Sequence, residues 1–217
     1  FVIDNLRSGK KENLEVIDNL HFIEDSITNK DIVNDTIKDA DYVFNFAALV
    51  SVPESIEKPY ECVDINVNGL LNLLEASKIF GVKKLVHVSS AAVYGDNPIL
   101  PKKVTMSPEP KTPYSITKLD GEFYCKMYSE QFGLKTTSLR FFNVFGERQN
   151  PKSQYAAAVP IFIEKAVKNE DITIYGDGLQ TRDFIYVKDI VQACSLAANS
   201  QIKTGLFNVA YGKSITI

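Results

Sequence analysis

Short apolar runs alternate with longer amphipathic stretches along the first two thirds of this chain. Runs rich in β-branched and aromatic residues, typical of buried strands, lie at residues 1–3, 21–23, 42–46, 84–88 and 136–140. Stretches with helical spacing lie between them, at 30–38, 63–80 and 115–131. This alternation predicts an α/β fold built on a doubly wound parallel sheet.

The pattern becomes looser after residue 142. Helical spacing at 156–168 and at 187–199 flanks a short strand-like run at 172–174. We expect a second, smaller lobe to begin here.

Three polar residues stand where such a sheet places its ligands. Ser90 follows the apolar run 84–88, and the carboxyl ends of strands form the binding edge of open α/β sheets. Tyr114 and Lys118 are four residues apart at the start of the helical stretch 115–131, so their side chains point the same way. Without Ser90, this pair would be interpreted as a tyrosine in the core and a lysine exposed on the helix, with no catalytic role.

The pair can work as a base. A phenol has an unperturbed pKa near 10, and lowering it to near 7 requires roughly 4 kcal/mol. An ammonium about 4 Å away, at an effective dielectric constant of about 20, supplies on the order of 4 kcal/mol. We therefore expect Lys118 to lower the pKa of Tyr114, while Ser90 holds a substrate oxygen against the phenol.

The motifs around these residues resemble those of a known family. Ser89-Ser90-Ala91-Ala92-Val93-Tyr94-Gly95 followed by Tyr114-Ser115-Ile116-Thr117-Lys118 is similar to the extended short-chain dehydrogenases/reductases, and more narrowly to their nucleotide-sugar 4-epimerases. Further matching motifs occur in order at 4–9, 45–48, 64–69, 140–146, 175–178 and 181–184. The resemblance implies a Rossmann-type sheet and a smaller substrate lobe.

The same resemblance implies NAD as the cofactor. Asp4 is the carboxylate expected to bind the ribose hydroxyls, which favours NAD over NADP, although Arg7 nearby argues the other way. The remaining cofactor residues implied by the resemblance are Asn5, Ser8 and Gly9 for the adenosine, Asp25 and Ser26 for the adenine, Phe46, Ala47, Ala48 and Asn66 along the dinucleotide, and Tyr114, Lys118 and Phe142 at the nicotinamide end.

A UDP-sugar is the substrate that the resemblance implies. Asn143 and Arg182 are assigned to its diphosphate, because a guanidinium fork suits phosphate oxygens. The loop 51–55 and the segment 153–160 look closest to epimerases that accept UDP-N-acetylhexosamines. Ser90, Tyr114 and Lys118 would then invert carbon 4 of the sugar by transient oxidation.

Three alternatives stay open. A UDP-uronate epimerase shares the same site. A sugar 4,6-dehydratase shares the fold, but its family has Thr-Asp-Glu where Ser90-Ala91-Ala92 stand here. A non-catalytic NAD-sensing protein could use the same fold without needing Ser90, Tyr114 and Lys118.

The domain assignment also follows the resemblance. Residues 1–142 are expected to form the NAD-binding domain, with 184–210 returning to it, and 143–183 with 211–217 to form part of the substrate lobe. No Gly-rich phosphate loop precedes Asp4, so the sequence is expected to be an internal fragment with a gap in its sheet.

The resemblance also implies a homodimer. The helices 63–80 and 115–131 are expected to form its interface, and their apolar residues include Leu70, Leu74, Phe123 and Met127.

The composition excludes several other classes of protein. The chain has 45% hydrophobic and 24% charged residues and a net charge of −3, which does not favour a nucleic-acid partner. Its 3 cysteines lack metal or disulfide spacing, and 2 histidines make a metal site improbable. No apolar run is long enough for a membrane span, and a reducing cytoplasm is the expected setting.

Overall fold

The computed structural model describes residues 1–14, 18–151, 158–174 and 176–217, and these contain nine strands and seven α-helices. The strands are β1 (Val2–Ile3), β2 (Phe22–Ile23), β3 (Tyr42–Asn45), β4 (Lys84–Ser90), β5 (Thr136–Phe141), β6 (Asn143–Phe145), β7 (Thr181–Tyr186), β8 (Thr204–Val209) and β9 (Ser214–Thr216). The helices are α1 (Lys30–Ile37), α2 (Val52–Glu57), α3 (Pro59–Val63), α4 (Gly69–Phe80), α5 (Pro113–Phe132), α6 (Ala158–Val167) and α7 (Val187–Asn199).

The largest sheet has four parallel strands in the order β3-β4-β5-β8. Apolar residues of α1, α4 and α5 pack on one face around Leu85, and those of α7 pack on the other around Val86. Neighbouring residues of a strand point to opposite faces, so β4 supplies both cores. Helices on both faces of a parallel sheet confirm the predicted α/β, doubly wound, Rossmann-type fold.

The sheet is interrupted, as the sequence predicts. β1 and β2 form a separate parallel pair, and no ladder joins them to β3 among the described residues. Between β1 and β3 lies a cavity of about 480 Å³ whose lining includes Val2, Ile3, Val43 and Phe44.

Helix α5 carries much of the candidate chemistry, and its ends follow from its sequence. Thr112 caps the first turn in a capping box with Ser115, and Pro113 occupies the first turn, where a missing N–H costs nothing. The helix stops at Gly133, which adopts the left-handed conformation with φ 75°. The helix therefore begins two residues before the predicted start at 115 and ends one residue beyond 131.

The second sheet is small and mixed. β6 pairs parallel with β7, and β7 pairs antiparallel with β9. The predicted strand at 172–174 is wrong, since these residues form no ladder. β7 extends across the predicted domain boundary at residue 183, while β8 joins the large sheet; the division into two lobes remains a prediction.

Not all the apolar residues expected at a dimer interface on α4 and α5 are exposed. Leu70 and Leu74 are fully buried in the protein's own core, because this face of α4 packs against α1 and α5. Phe123 is 60% exposed, and Met127 packs partly against the core. The two leucines are therefore wrong as interface residues, and Phe123 remains a candidate.

Two further properties bear on function. Within the described ranges, no helix combines the length and the apolar character needed to span a bilayer. The same residues contain no group of three or more His, Cys, Asp or Glu side chains placed to bind a metal ion.

Candidate active site

The carboxyl ends of β1, β2 and β3 open into one cleft of about 130 Å³. Parallel strands direct these ends to the same edge, where α/β folds bind ligands. Most of the predicted cofactor residues line this cleft, and they are Asp4, Asn5, Ser8, Asp25, Ser26, Phe46, Ala47 and Ala48. Ile3, Ile27, Val50 and Ile65 complete its wall, and sequence reasoning missed them because a lone apolar residue carries no motif.

The loop after β1 wraps around the carboxylate of Asp4. Oδ1 of Asp4 accepts a hydrogen bond from the backbone N–H of Leu6 at 2.6 Å, and Leu6 itself has a positive φ of 56°. A Cβ at Gly9 would lie 3.5 Å from both oxygens of Asp4. Gly9 thus lies beside the carboxylate, and the remaining lone pairs of Asp4 suit a ribose.

Arg7 also lines the cleft, and two carboxylates neutralise its charge. Its Nη2 donates to Glu54 at 2.6 Å and its Nη1 donates to Glu61, and these bonds raise the pKa of the guanidinium. The bond from Arg7 correspondingly lowers the pKa of Glu54. A guanidinium paired with two carboxylates is a poor ligand for a ribose 2′-phosphate, so the objection that Arg7 raised against NAD is removed.

The turn after β2 is held by its own side chains. Asp25 accepts from the backbone N–H of Ser26 at 2.6 Å and from Nδ2 of Asn29 at 3.0 Å. Oγ of Ser26 accepts from the N–H and the hydroxyl of Thr28. These bonds fix the shape of the wall assigned to adenine.

Asn66 is not among the residues that line this cleft. Its side chain is buried, accepts from the N–H of Leu49 at 2.8 Å, and donates to the carbonyl of Leu49 and to Oγ1 of Thr117. Asn66 therefore supports the segment that follows Ala47 and Ala48. Its direct contact with the cofactor stays a prediction.

Ser90 and Tyr114 meet at the end of β4. Oγ of Ser90 accepts from the N–H of Ala92 at 3.1 Å and so starts the short 3-10 helix Ala91–Tyr94. Burial raises the pKa of Tyr114, a side-chain hydrogen bond with Ser90 opposes that rise, and the Cys62 thiol adds to it. Ser90 is thus close enough to Tyr114 to influence its pKa, and the role of Ser90 in holding a substrate oxygen against the phenol stays a prediction.

Lys118 is buried one helical turn beyond Tyr114. Its Nζ donates to the backbone carbonyl of Val88 at 2.8 Å and lies 5.8 Å from the ring centroid of Tyr114. Burial lowers the pKa of Lys118 to about 8. In this structure the ammonium bonds a carbonyl, and burial of the phenol outweighs the effects that lower its pKa. The lowering of the Tyr114 pKa by Lys118 therefore stays a prediction for the site with NAD bound.

A serine that sequence reasoning missed holds the start of α5. Ser55 is fully buried, accepts from the backbone N–H of Tyr114 at 3.2 Å, and donates to the carbonyl of Val52 at 2.6 Å. It lies in α2, which had been interpreted as a loop at 51–55. The Ser-x-x-Glu pattern of Ser51 and Glu54 was the available signal, since Oγ of Ser51 caps the N–H of Glu54.

The predicted substrate residues lie on the small sheet. Asn143 pairs with Phe184 and its Nδ2 donates to the carbonyl of Asp183 at 2.9 Å. Arg182 is exposed on β7, and its Nη1 donates to the carbonyl of Thr181. In the described part of the chain, no side-chain hydrogen bond joins Asn143 and Arg182. Residues 152–157 and Tyr175, which include most of the predicted segment 153–160, lie outside the described residues.

Phe142 connects the two sheets. It lies between β5 and β6, is partly buried, and donates its N–H to the carbonyl of Val209 at 3.1 Å. This places it at the same edge as Ser90, which pairs with Phe141 on the neighbouring strand.

Residues 1–210 match the model of the NAD dependent epimerase/dehydratase family. The chain belongs to this family. The resemblance predicted from the motifs is thereby confirmed, and the cofactor is NAD, which the Asp4 cleft fits.

Members of the family with solved structures are closely similar to the chain. A UDP-N-acetylglucosamine 4-epimerase from Methanobrevibacter ruminantium, in complex with UDP-N-acetylmuramic acid, is 46% identical with a TM-score of 0.95 and covers 99% of this chain and 69% of its own. A Thermus thermophilus UDP-glucose 4-epimerase in complex with NAD is 37% identical with a TM-score of 0.89, covering 99% and 70%.

A curated relative from the same family agrees. A putative UDP-glucose 4-epimerase from Methanocaldococcus jannaschii is 38% identical over 219 residues, covering 100% of this chain and 70% of its own length. The chain thus spans about 70% of a relative of this kind.

Proposed function

We propose that the full-length protein is a nucleotide-sugar 4-epimerase that inverts carbon 4 of a UDP-hexose or a UDP-N-acetylhexosamine. The observation that carries the proposal is that helix α5 holds Tyr114 and Lys118 against the end of β4, where Ser90 lies, at the edge that also bears the Asp4 cleft. The similarity to UDP-sugar 4-epimerases supports the same reaction.

Each residue of the site has a role in the proposed reaction. When bound, NAD supplies acceptance and return of the hydride at carbon 4. Tyr114 takes the proton of the 4-hydroxyl and gives it back, and Ser90 holds the sugar oxygen against the phenol. Because burial raises the pKa of Tyr114, ionisation needs positive charge nearby, which Lys118 and oxidised NAD supply. No net oxidation results, since the sugar regains its hydride on the other face.

The residues after Ser90 favour epimerisation over dehydration. Ala91 and Ala92 carry methyl groups at the start of the 3-10 helix, where 4,6-dehydratases have an acid and a base. Elimination of the 6-hydroxyl needs such groups. An intact Ser90, Tyr114 and Lys118 likewise favours an enzyme over an NAD-sensing protein.

Substrate recognition is proposed for the small sheet. Asn143 and Arg182 lie on its strands β6 and β7, and Arg182 presents an exposed guanidinium that can bind a diphosphate. The substrate would extend from this sheet to Ser90.

A homodimer through α4 and α5 is part of the proposal. Large apolar residues are exposed on these helices and on α3, which precedes α4 by five residues, and they are Tyr60, Val63, Ile79, Phe80, Ile116, Phe123 and Phe132. A second copy would remove this surface from water.

A substrate panel tests the proposed activity. Full-length protein is incubated with UDP-glucose, UDP-N-acetylglucosamine and UDP-glucuronate, and the carbon-4 epimers are separated by chromatography. We expect one or both of the first two to be converted. Tyr114→Phe should lower kcat by about 10³-fold or more with NAD still bound, while Tyr124→Phe on the same helix should not. Conversion of UDP-glucuronate alone, or of no sugar, would contradict the proposal.

A further inference from the structure

One buried carboxylate binds α5 to two neighbouring strands at once. Glu122 accepts from Oγ of Ser89 at 2.5 Å and, in a bidentate pair, from Nε and Nη2 of Arg140 at 2.8 and 2.7 Å. Ser89 and Arg140 are register partners on β4 and β5. All three side chains are less than 10% exposed, so the bonds are made away from water.

The contact lies directly beside the candidate catalytic residues. Glu122 follows Lys118 by one helical turn and Tyr114 by two, so the three share a face of α5. Lys118 bonds the carbonyl of Val88, and Glu122 bonds the next residue, Ser89. The residue after these two is Ser90.

Two bonds to consecutive residues restrain more than one bond does. A single contact leaves a helix free to pivot about it, whereas two contacts one turn apart fix both its height and its rotation over the strand. Between them, α5 lies very close to β4, because a Cβ at Gly121 would come within 2.4 Å of Nε2 of His87. The first turn of α5 is thereby held against the end of β4.

Stability alone is a weak reason for such a group. Desolvation of a buried ion pair offsets much of its attraction, and apolar residues of similar volume often serve as well. Apolar residues would not reproduce the positioning of α5 over β4, because hydrogen bonds are directional and apolar contacts are not.

We propose that Glu122, acting through Ser89, is a positioning residue that sets the distance between Ser90 and Tyr114. The inference rests on the proposed function only for its kinetic consequence. Loss of the Ser89 bond should displace the phenol from the sugar oxygen without removing a group that binds NAD or substrate. Misplacement by about 1 Å can cost about 100-fold in rate.

The test compares Ser89→Ala with Thr136→Val in the full-length protein. Thr136 donates from β5 to the carbonyl of Cys125 at 2.8 Å, so its removal deletes a hydrogen bond between α5 and the sheet further from the site. Ser89→Ala should lower kcat about 10-fold or more, with KM and NAD binding within about twofold of wild type. Thr136→Val should leave kcat within about twofold.

Two additional measurements separate this inference from the proposed activity. Ser89→Cys, with a weak donor of similar size, should recover part of kcat. Amide hydrogen exchange over residues 113–118, which needs no substrate, should quicken in Ser89→Ala and stay unchanged in Thr136→Val. The inference would be overturned if Ser89→Ala kept both the wild-type exchange rate and the wild-type kcat. It would also be overturned if Ser89→Ala and Thr136→Val changed these two quantities equally. A wild-type enzyme without epimerase activity would contradict the proposed function, while the exchange result would still decide the positioning role.

Discussion

The ammonium of Lys118 donates a hydrogen bond to the backbone carbonyl of Val88, at 2.8 Å. The side chain is buried, and burial lowers its pKa from 10.5 to about 8. The folded protein therefore binds this proton less tightly than the unfolded chain does. Keeping a charged lysine at this position lowers stability, and the cost disappears where both states are neutral.

Stability should thus depend on pH in a defined way. Between about pH 8 and 10.5 the unfolded state holds more protons at Lys118, so the unfolding free energy of wild type should rise relative to Lys118→Met. The difference between the two pKa values corresponds to roughly 3 kcal/mol. Urea unfolding of both proteins at pH 7.5, 9 and 10.5 measures the effect. A constant difference across this range would show that Lys118 is not desolvated.

Asp4 provides a test of the cofactor cleft. Asp4→Asn should weaken NAD binding about 10- to 150-fold, because a charge-assisted hydrogen bond is worth about 1.5 to 3 kcal/mol. The preference for NAD over NADP should fall as well, since the carboxylate that repels a 2′-phosphate is gone. Titration calorimetry with each dinucleotide provides both values.

The matched control for Asp4 is Asp35→Asn on the exposed side of α1, where the carboxylate pairs with Lys38 at 3.5 Å. This variant should bind NAD as wild type does. Equal NAD affinity in Asp4→Asn and wild type would remove Asp4 from the ribose site.

Arg182 tests recognition of the nucleotide. Binding of a diphosphate is shared by ground and transition states, so Arg182→Ala should mainly raise KM, by roughly 10- to 150-fold, with a smaller fall in kcat. UDP should inhibit wild type far better than the variant, whereas Lys188→Ala, also exposed, should behave as wild type. Equal inhibition of Arg182→Ala and wild type by UDP would exclude Arg182 from the substrate site.

Phe123 tests the proposed dimer. Its ring is 60% exposed on α5, and Phe123→Glu would place a charge in the interface if this surface is covered by a second copy. Light scattering at micromolar concentration should give a dimer for wild type and a monomer for the variant. A monomeric wild type would refute the interface.

The elements that sequence reasoning found are those with strong local signals. β4 contains the apolar run Leu85–Val86, β5 opens on two β-branched residues, and α5 has a capping box at one end and Gly133 at the other. The helices α2 and α3 and the strands β6, β7, β8 and β9 were missed. Their hydrophobic patterns are short, and small-sheet strands such as β9 depend on pairing with distant residues.

The candidate site likewise has features that the sequence predicts and features that it does not. The positions of Asp4 and Ser90 follow from a rule about strand ends, and that of Tyr114 from its helical spacing to Lys118, so they could be predicted. The directions of side-chain bonds could not: Asn66 bonds the Leu49 backbone, and Lys118 bonds Val88. These choices depend on which partner the folded chain brings near, which no local pattern records.

The most direct test of the proposed reaction follows the hydrogen at carbon 4. A UDP-hexose or UDP-N-acetylhexosamine that the enzyme converts is prepared with deuterium at carbon 4, and the epimer is analysed by mass spectrometry and NMR. Transient oxidation with return of the same hydride predicts that the product keeps its deuterium at carbon 4 in ordinary water, and that unlabelled substrate takes up none there from deuterium oxide. Loss of the label to solvent, or inversion at any other carbon, would contradict the account.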